Sequence, residues 1–91
     1  MSQKFGLGKL VITPAARESL EESDEEAMFF ITRHANGDWG VVSDQDGRRN
    51  DEAVRDGDRI LSAYVLLNDV RIWVITEWDR SVTTVLLPED Y

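Results

Sequence analysis

The last third of the chain alternates between short apolar runs and polar breaks, a pattern typical of antiparallel strands. The apolar runs span 60–67, 70–76 and 82–87, and all three are rich in β-branched and aromatic residues. Asn68 and Asp69 separate the first two runs, and both residue types tolerate the positive φ of a two-residue hairpin turn. The pattern therefore predicts three consecutive strands.

The length of that turn decides which side chains share a face of the sheet. With two turn residues, Leu67 pairs with Val70, and directly paired residues point to the same face. One face then carries polar and aromatic side chains: Ser62, Tyr64, Trp73, Ile75, Glu77 and Thr84. The other face, predicted to form the core, carries Leu61, Ala63, Val65, Ile72, Val74 and Thr76. The placement of Thr84 on the first face assumes a four-residue loop at 78–81, because one more residue would direct the side chains of the third strand to the opposite face.

Helix signals precede these strands. Thr13 followed by Pro14 predicts a helix over 14–21. A capping box at 23–26 predicts a second helix, which Asn36 and Gly37 would end, and Ser43 with Gly57 brackets a third over 43–56. Residues 9–12 fit a short edge strand. The predicted fold class is α+β, with two to three helices packed on one face of a three- or four-stranded antiparallel sheet.

Composition narrows the functional classes. The 91 residues fit a single domain, and the absence of cysteine excludes disulfides and thiolate chemistry. The net charge of -8 opposes binding to a nucleic-acid backbone. Six carboxylates fall within 18–26, which fits either a solvated face or a surface that docks on a basic protein groove. No run is long enough to span a membrane and no signal-peptide pattern is visible, so we expect a cytoplasmic protein without a membrane partner.

His34 is the only histidine and therefore the first candidate for proton transfer near neutral pH. A helix C-terminus and the carboxylate of Asp38 nearby would raise its pKa. Alternatively, His34 caps its helix or packs against Trp39. Asp38 and Trp39, flanked by Gly37 and Gly40, equally fit a structural corner in which the indole fills the core.

Two further groups of polar residues have both structural and functional interpretations. Asn50 shares a helical face with Ala53, so its amide needs partners from loop backbone or from a ligand. Glu77 and Arg80 crowd one hairpin end, where they could form an ion pair, cap the turn or join His34 in acid–base catalysis. No cofactor is expected, and no metal site, since the ligand spacing of a calcium loop is incomplete around Asp44.

The chain resembles a group of short bacterial proteins carried by plasmids, phages and genomic islands, labelled plasmid-related proteins and sometimes restriction-system subunits. The residues that carry this resemblance are Arg33, His34, 37–40, Asn50, 59–64, 72–84 and 87–91. It implies a mobile-element setting and no particular activity. A looser likeness to compact microbial ribonucleases implies His34 or Glu77 as acid or base and Arg80 as phosphate clamp. In that likeness, Ser62, Tyr64 and Thr84 would line the substrate face.

Two hypotheses follow. The first is a noncatalytic interaction protein of a mobile element, which binds a host or defence-system protein through its acidic surface and an exposed aromatic sheet face. Its binding residues would be Asp38, Trp39, Asn50, Ser62, Tyr64, Trp73 and Thr84. The alternative is a metal-independent, toxin-like RNA-cleaving enzyme that uses His34, Glu77 and Arg80. A transcriptional or toxin-neutralising regulator ranks last because the chain lacks a basic helix, and homodimerisation stays open.

Overall fold

The computed structural model describes residues 2–91, in which three helices pack on one face of a four-stranded sheet. The helices are α1 (Pro14–Ser23), α2 (Ala27–Ala35) and α3 (Asp44–Asp56). The strands are β1 (Lys9–Ile12), β2 (Ile60–Val65), β3 (Arg71–Thr76) and β4 (Val82–Leu86), followed by a 3-10 turn, Pro88–Asp90. None of the helices within this part of the chain is both long and apolar enough to cross a membrane.

The α+β class is confirmed, and the sheet contains one parallel pair. The strand order is β1-β4-β3-β2, so the predicted edge strand β1 lies beside the last strand and runs parallel to it. The three C-terminal strands are antiparallel, as expected. The sheet is therefore mixed, although most of its pairing is antiparallel.

Two of the three predicted helix starts are confirmed by their caps. Thr13 accepts a hydrogen bond from the Ala16 amide at 3.2 Å, with Pro14 in the first turn. Ser43 accepts one from the Asp46 amide at 3.1 Å, and α3 ends at Gly57, whose φ of 77° is left-handed. These local signals fix both ends of α3.

The predicted capping box at the start of α2 is wrong. Ser23 is the last residue of α1, and its hydroxyl donates to the Leu20 carbonyl at 3.1 Å. The helix α1 therefore runs two residues beyond its predicted end. The cap residue of α2 is Glu26, whose side chain makes no capping bond.

The predicted register between β2 and β3 is wrong by one residue. The Leu66 amide donates to the Val70 carbonyl at 2.8 Å, which leaves a three-residue loop at 67–69. Asp69 adopts a left-handed φ of 66°, as the last residue of such loops commonly does. Trp73 consequently pairs with Ala63, and every side chain of β2 changes face relative to the prediction.

The corrected register defines two faces. The inner face, packed against the helices, carries Ile60, Ser62, Tyr64, Ile72, Val74, Thr76, Thr83 and Val85. The outer face carries Leu61, Ala63, Val65, Trp73, Ile75, Thr84 and Leu86. The prediction was correct for Trp73, Ile75 and Thr84, because the loop at 78–81 has the expected length, and wrong for Ser62 and Tyr64, which are buried.

The core lies between the helices and the inner face. Ala16 and Leu20 of α1 and Phe30 and Ile31 of α2 form one cluster with the central strands. Each large apolar side chain buried in this way stabilises the fold by about 1.5–3 kcal/mol. A second cluster joins Phe5, Trp39, Ala53 and Ile60 beneath α3.

Neighbouring segments close the sheet edge at β2. Both amide atoms of Asn50 bond the backbone of Leu61, at 2.8 and 3.2 Å. The segment after α2 does the same at Ala63, which bonds the Trp39 carbonyl and the Val41 amide. A Cβ atom at Gly40 would lie 1.9 Å from the Ala63 carbonyl oxygen, so only glycine permits this approach. Both Leu61 and Ala63 therefore have partners at the edge, although β2 has no strand beyond it.

Candidate functional site

The outer face of the sheet is only partly open, since Ala63, Ile75 and Leu86 are buried in it and Leu61 and Trp73 are half-buried. Its main cover is the end of the chain, where the Tyr91 ring lies 5.9 Å from the Trp73 ring in an edge arrangement. Arg59 donates to the Tyr91 hydroxyl and its guanidinium lies over the same ring. Tyr91 is still 68% exposed and Val65 45% exposed, so an apolar and aromatic surface remains open to solvent.

Three cations lie at the margins of the outer face, together with the carboxylate of Glu77 at the β3–β4 end. Lys9 pairs with Val82 and Arg71 with Val65, which places both at outward positions near the strand ends. Arg59 joins them through its contact with Tyr91. The acidic run at 18–26 belongs to α1 and the start of α2, on the opposite side of the sheet. The predicted acidic surface and the predicted aromatic face are therefore two separate surfaces.

His34 lies beneath the inner face with no solvent exposure. Its Nδ1 atom is 2.6 Å from the Ser62 hydroxyl oxygen and its Nε2 atom 2.9 Å from that of Thr76. The rings of Phe5 and Trp39 pack against it at 5.2 and 5.9 Å. Of the predicted alternatives, packing against Trp39 is the one that the structure bears out.

The donor and the acceptor of each hydrogen bond around His34 can be assigned in only one way. Thr83 donates to the Leu7 carbonyl, so the hydroxyl of Thr76, 2.7 Å away, must donate to Thr83. Thr76 then has no proton left for His34, and the Nε2 atom of the ring must carry the hydrogen. The Nδ1 atom is left as the acceptor for Ser62. Every member of this chain is satisfied with a neutral imidazole.

Burial, together with the smaller effect of the nearby positive charge of Arg80, lowers the pKa of His34 to about 4. The expectation of a raised pKa was wrong because desolvation outweighs the helix end, and the Asp38 carboxylate is engaged elsewhere. Asp38 accepts a hydrogen bond from Arg33 at 2.7 Å, which lowers the pKa of that carboxyl. His34 is accordingly neutral at physiological pH.

The hydrogen bond from Ser62 to His34 has the order found in activated serine nucleophiles, but it lies in a closed environment. Ser62 of β2 and His34 of α2 are both fully buried between the helix and the sheet, so a substrate atom has no contact with either. The Ser62–His34 pair therefore belongs to the core and is not accessible to a substrate.

The structure places Glu77 on the opposite face of the sheet from His34, and Arg80, although its charge lies near His34, bonds to backbone. Arg80 donates to three backbone carbonyls, those of Ala53, Asp58 and Glu77, at 2.6–3.1 Å, and so joins the end of α3 to the β3–β4 loop. Glu77 follows Thr76 along the strand and pairs with Val82, so alternation directs it to the outer face. His34 is on the inner face.

The remaining predicted binding residues have structural partners. Trp39 is 8% exposed and donates to the Asp51 carboxylate at 3.1 Å, while the Asp38 carbonyl accepts from the Tyr64 hydroxyl at 2.6 Å. Asn50 is bonded to backbone, which was one of its two predicted alternatives. Trp73 and Thr84 are the predicted binding residues that lie on the outer face.

Sequence reasoning missed several exposed apolar residues. Leu61 and Val65 belong to the outer face because of the corrected register, and Tyr91 joins it by contact with Trp73. Met28 and Phe29 lie on the exposed side of α2, 52% and 61% exposed. The helical spacing of Ile31, His34 and Ala35 could have identified Phe29, which it places opposite the buried stripe, whereas it places Met28 at the edge of that stripe.

No group of three or more His, Asp or Glu side chains within residues 2–91 is arranged to hold a metal ion. Comparison with family models, with curated proteins and with solved structures finds no match.

Proposed function

We propose that this chain is a noncatalytic interaction protein that binds a host or defence-system protein through the outer face of its sheet. The observation that carries the proposal is the open part of the outer face, where Tyr91 and Val65 are exposed and Trp73 and Leu61 are half-buried. A tryptophan beside a tyrosine, with aliphatic neighbours, is the composition that anchors protein interfaces. The mobile-element and cytoplasmic settings come from the resemblance and the sequence pattern.

Charge indicates the chemistry of the partner. Lys9, Arg59 and Arg71 flank the outer face and Glu77 lies at its β3–β4 end, so the matching surface would be apolar at its centre, with acidic residues facing the three cations. The acidic helical side of the chain would be a second contact surface, available at the same time. Such a protein could connect two partners.

The test is affinity capture from the native bacterial host with purified protein as bait. We expect Trp73→Ala to lose the captured partner, and Val65→Lys, at an exposed position, to lose it without risk to the core. Trp78→Ala is the matched control, because Trp78 is 66% exposed but lies in the β3–β4 loop. Capture that survives both Trp73→Ala and Val65→Lys, or that yields no partner with the unaltered chain, would refute the proposal.

A further inference from the structure

The corner between α1 and α2 combines an apolar cleft with unpaired negative charge. The exposed side of α2 forms a shallow cleft of about 450 Å³, lined by Met28, Phe29, Thr32, Arg33 and Asn36. At one end of the cleft, Glu26 directly precedes the helix and α1 is only a short loop away. We refer to this cleft together with the carboxylates at 18–26 as the α1–α2 corner.

The carboxylates of this corner have no ion-pair partners. The ion pairs found among residues 2–91 are Arg33 with Asp38 and Arg49 with Asp46. Glu25 is the one member of the acidic run with a backbone partner, the amide of Leu67 at 2.8 Å. The others are exposed to solvent, and Arg17, one turn before Glu21 on α1, forms no ion pair with them.

Two of these carboxylates stand where the fold itself disfavours them. Glu21 and Glu22 occupy the last turn of α1, and that turn contains no basic residue. The C-terminal end of a helix carries partial negative charge, so carboxylates there are destabilising by some tenths of a kcal/mol each. A cation supplied from outside would relieve this repulsion, which makes the charge complementarity of a partner predictable.

The far end of the cleft is electrically neutral. Arg33 lies over the rings of Phe29 and Tyr64 and is bonded to Asp38, so it closes the cleft without offering a free charge. An occupant therefore meets apolar side chains along the cleft and negative charge at its α1 end.

We propose that the α1–α2 corner binds an amphipathic helix of a partner protein, with apolar residues on Met28 and Phe29 and Lys or Arg residues against the carboxylates. Helices of this kind bind apolar grooves through side chains spaced one turn apart. The proposal goes beyond the outer-face interaction and depends on it only in treating the chain as a binding protein.

The probe is a fluorescein-labelled helical peptide made of Leu and Lys in amphipathic order, and its counterpart with Glu in place of Lys. We expect the Leu/Lys peptide to bind and the Leu/Glu peptide not to bind. Phe29→Ser should weaken binding about tenfold or more, as expected for a central aromatic contact. The affinity should fall between about 50 and 300 mM salt, because exposed charges are screened.

A matched pair of double variants separates a specific site from general attraction to an acidic protein. Glu21→Gln with Glu22→Gln removes two charges at the corner, while Glu52→Gln with Asp56→Asn removes two from α3. We expect about tenfold weaker binding for the first pair and little change for the second. Equal losses in both pairs, or unchanged binding by Phe29→Ser, would overturn the proposal.

The outcome can be distinguished from failure of the outer-face proposal. Trp73→Ala should bind the Leu/Lys peptide with unaltered affinity, because Trp73 lies on the other side of the sheet. Loss of peptide binding in Trp73→Ala, with the circular dichroism spectrum unchanged, would contradict two separate surfaces.

Discussion

The buried state of His34 makes the stability of the fold depend on pH in a calculable way. Folding keeps the imidazole neutral and lowers its pKa to about 4, whereas an unfolded histidine has its ordinary pKa of 6.5. Since the folded pKa is lowered, the unfolded chain takes up the proton first as the pH falls. The stabilisation is fully present above about pH 6.5 and decreases steadily down to about pH 4.

The magnitude follows from proton linkage between the two pKa values. Between about pH 7.5 and pH 5, the free energy of unfolding should fall by about 2 kcal/mol. Carboxylates with lowered pKa, such as Asp38, Asp79 and Asp90, lose their contribution only below their ordinary pKa of 3.8. The interval therefore isolates His34, the only histidine in the chain.

The assay is urea unfolding followed by tryptophan fluorescence at several pH values, with His34→Gln as control. We expect the slope in the unaltered protein and a nearly flat profile in the variant. NMR of the single imidazole gives an independent reading, with protonated Nε2 and unprotonated Nδ1 at neutral pH. A folded-state pKa near 6.5, or the opposite tautomer, would refute the hydrogen-bond order deduced for this chain.

Two further predictions concern the closed edge at β2. Gly40→Ala should lower the free energy of unfolding by about 2 kcal/mol or more, since the new Cβ meets the Ala63 carbonyl. Gly57→Ala is its control, because Gly57 has a similar positive φ with no atom within 4 Å; equal losses in urea unfolding would show that the contact is unimportant. Asn50→Ala should cost about 2 kcal/mol by leaving the Leu61 backbone groups unbonded, whereas the exposed Gln45→Ala should change little. A loss below about 0.5 kcal/mol for Asn50→Ala would contradict its edge role.

Local signals in the sequence predicted the helices that begin with a strong cap. The caps at Thr13 with Pro14, at Ser43 and at Gly57 each involve a single turn of backbone. The local sequence is therefore enough to predict these helix ends. Ser23 shows where this reasoning stops. Its hydroxyl suited a cap, but α1 continued through it and used the hydroxyl within its own last turn.

The two hairpins show the same contrast for the sheet. At 78–81 the assumed length of four residues is the observed one, so the predicted pairing of Trp73 with Leu86 is confirmed. At 67–69 the residue types allowed a turn of either two or three residues. Both faces of β2 carry large apolar side chains, so the hydrophobic pattern did not decide between the two registers. The polar Ser62 was predicted to lie on the non-core face. It is buried because His34, from a helix distant in the sequence, provides a hydrogen-bond partner.

The candidate site was predictable only where it depended on the pairing of β3 with β4. Trp73 and Thr84 were correctly placed on the outer face because their register was correct. The burial of His34 depends on contacts among α2, β2 and β3. These contacts join distant parts of the chain, so no local pattern specifies them. The same is true of Arg80, whose three carbonyl partners come from distant segments.

The unequal edges of the sheet limit how copies of this chain could join. At β2, Asn50 already bonds the backbone of Leu61, and the Trp39 carbonyl and Val41 amide bond the backbone of Ala63, while β1 has a neighbour on one side only. Strand addition from another molecule is therefore easier at β1, and two molecules joined there would leave the largely occupied β2 edges outermost. A sheet with this asymmetry favours a pair over a fibril, which requires both edges of every molecule.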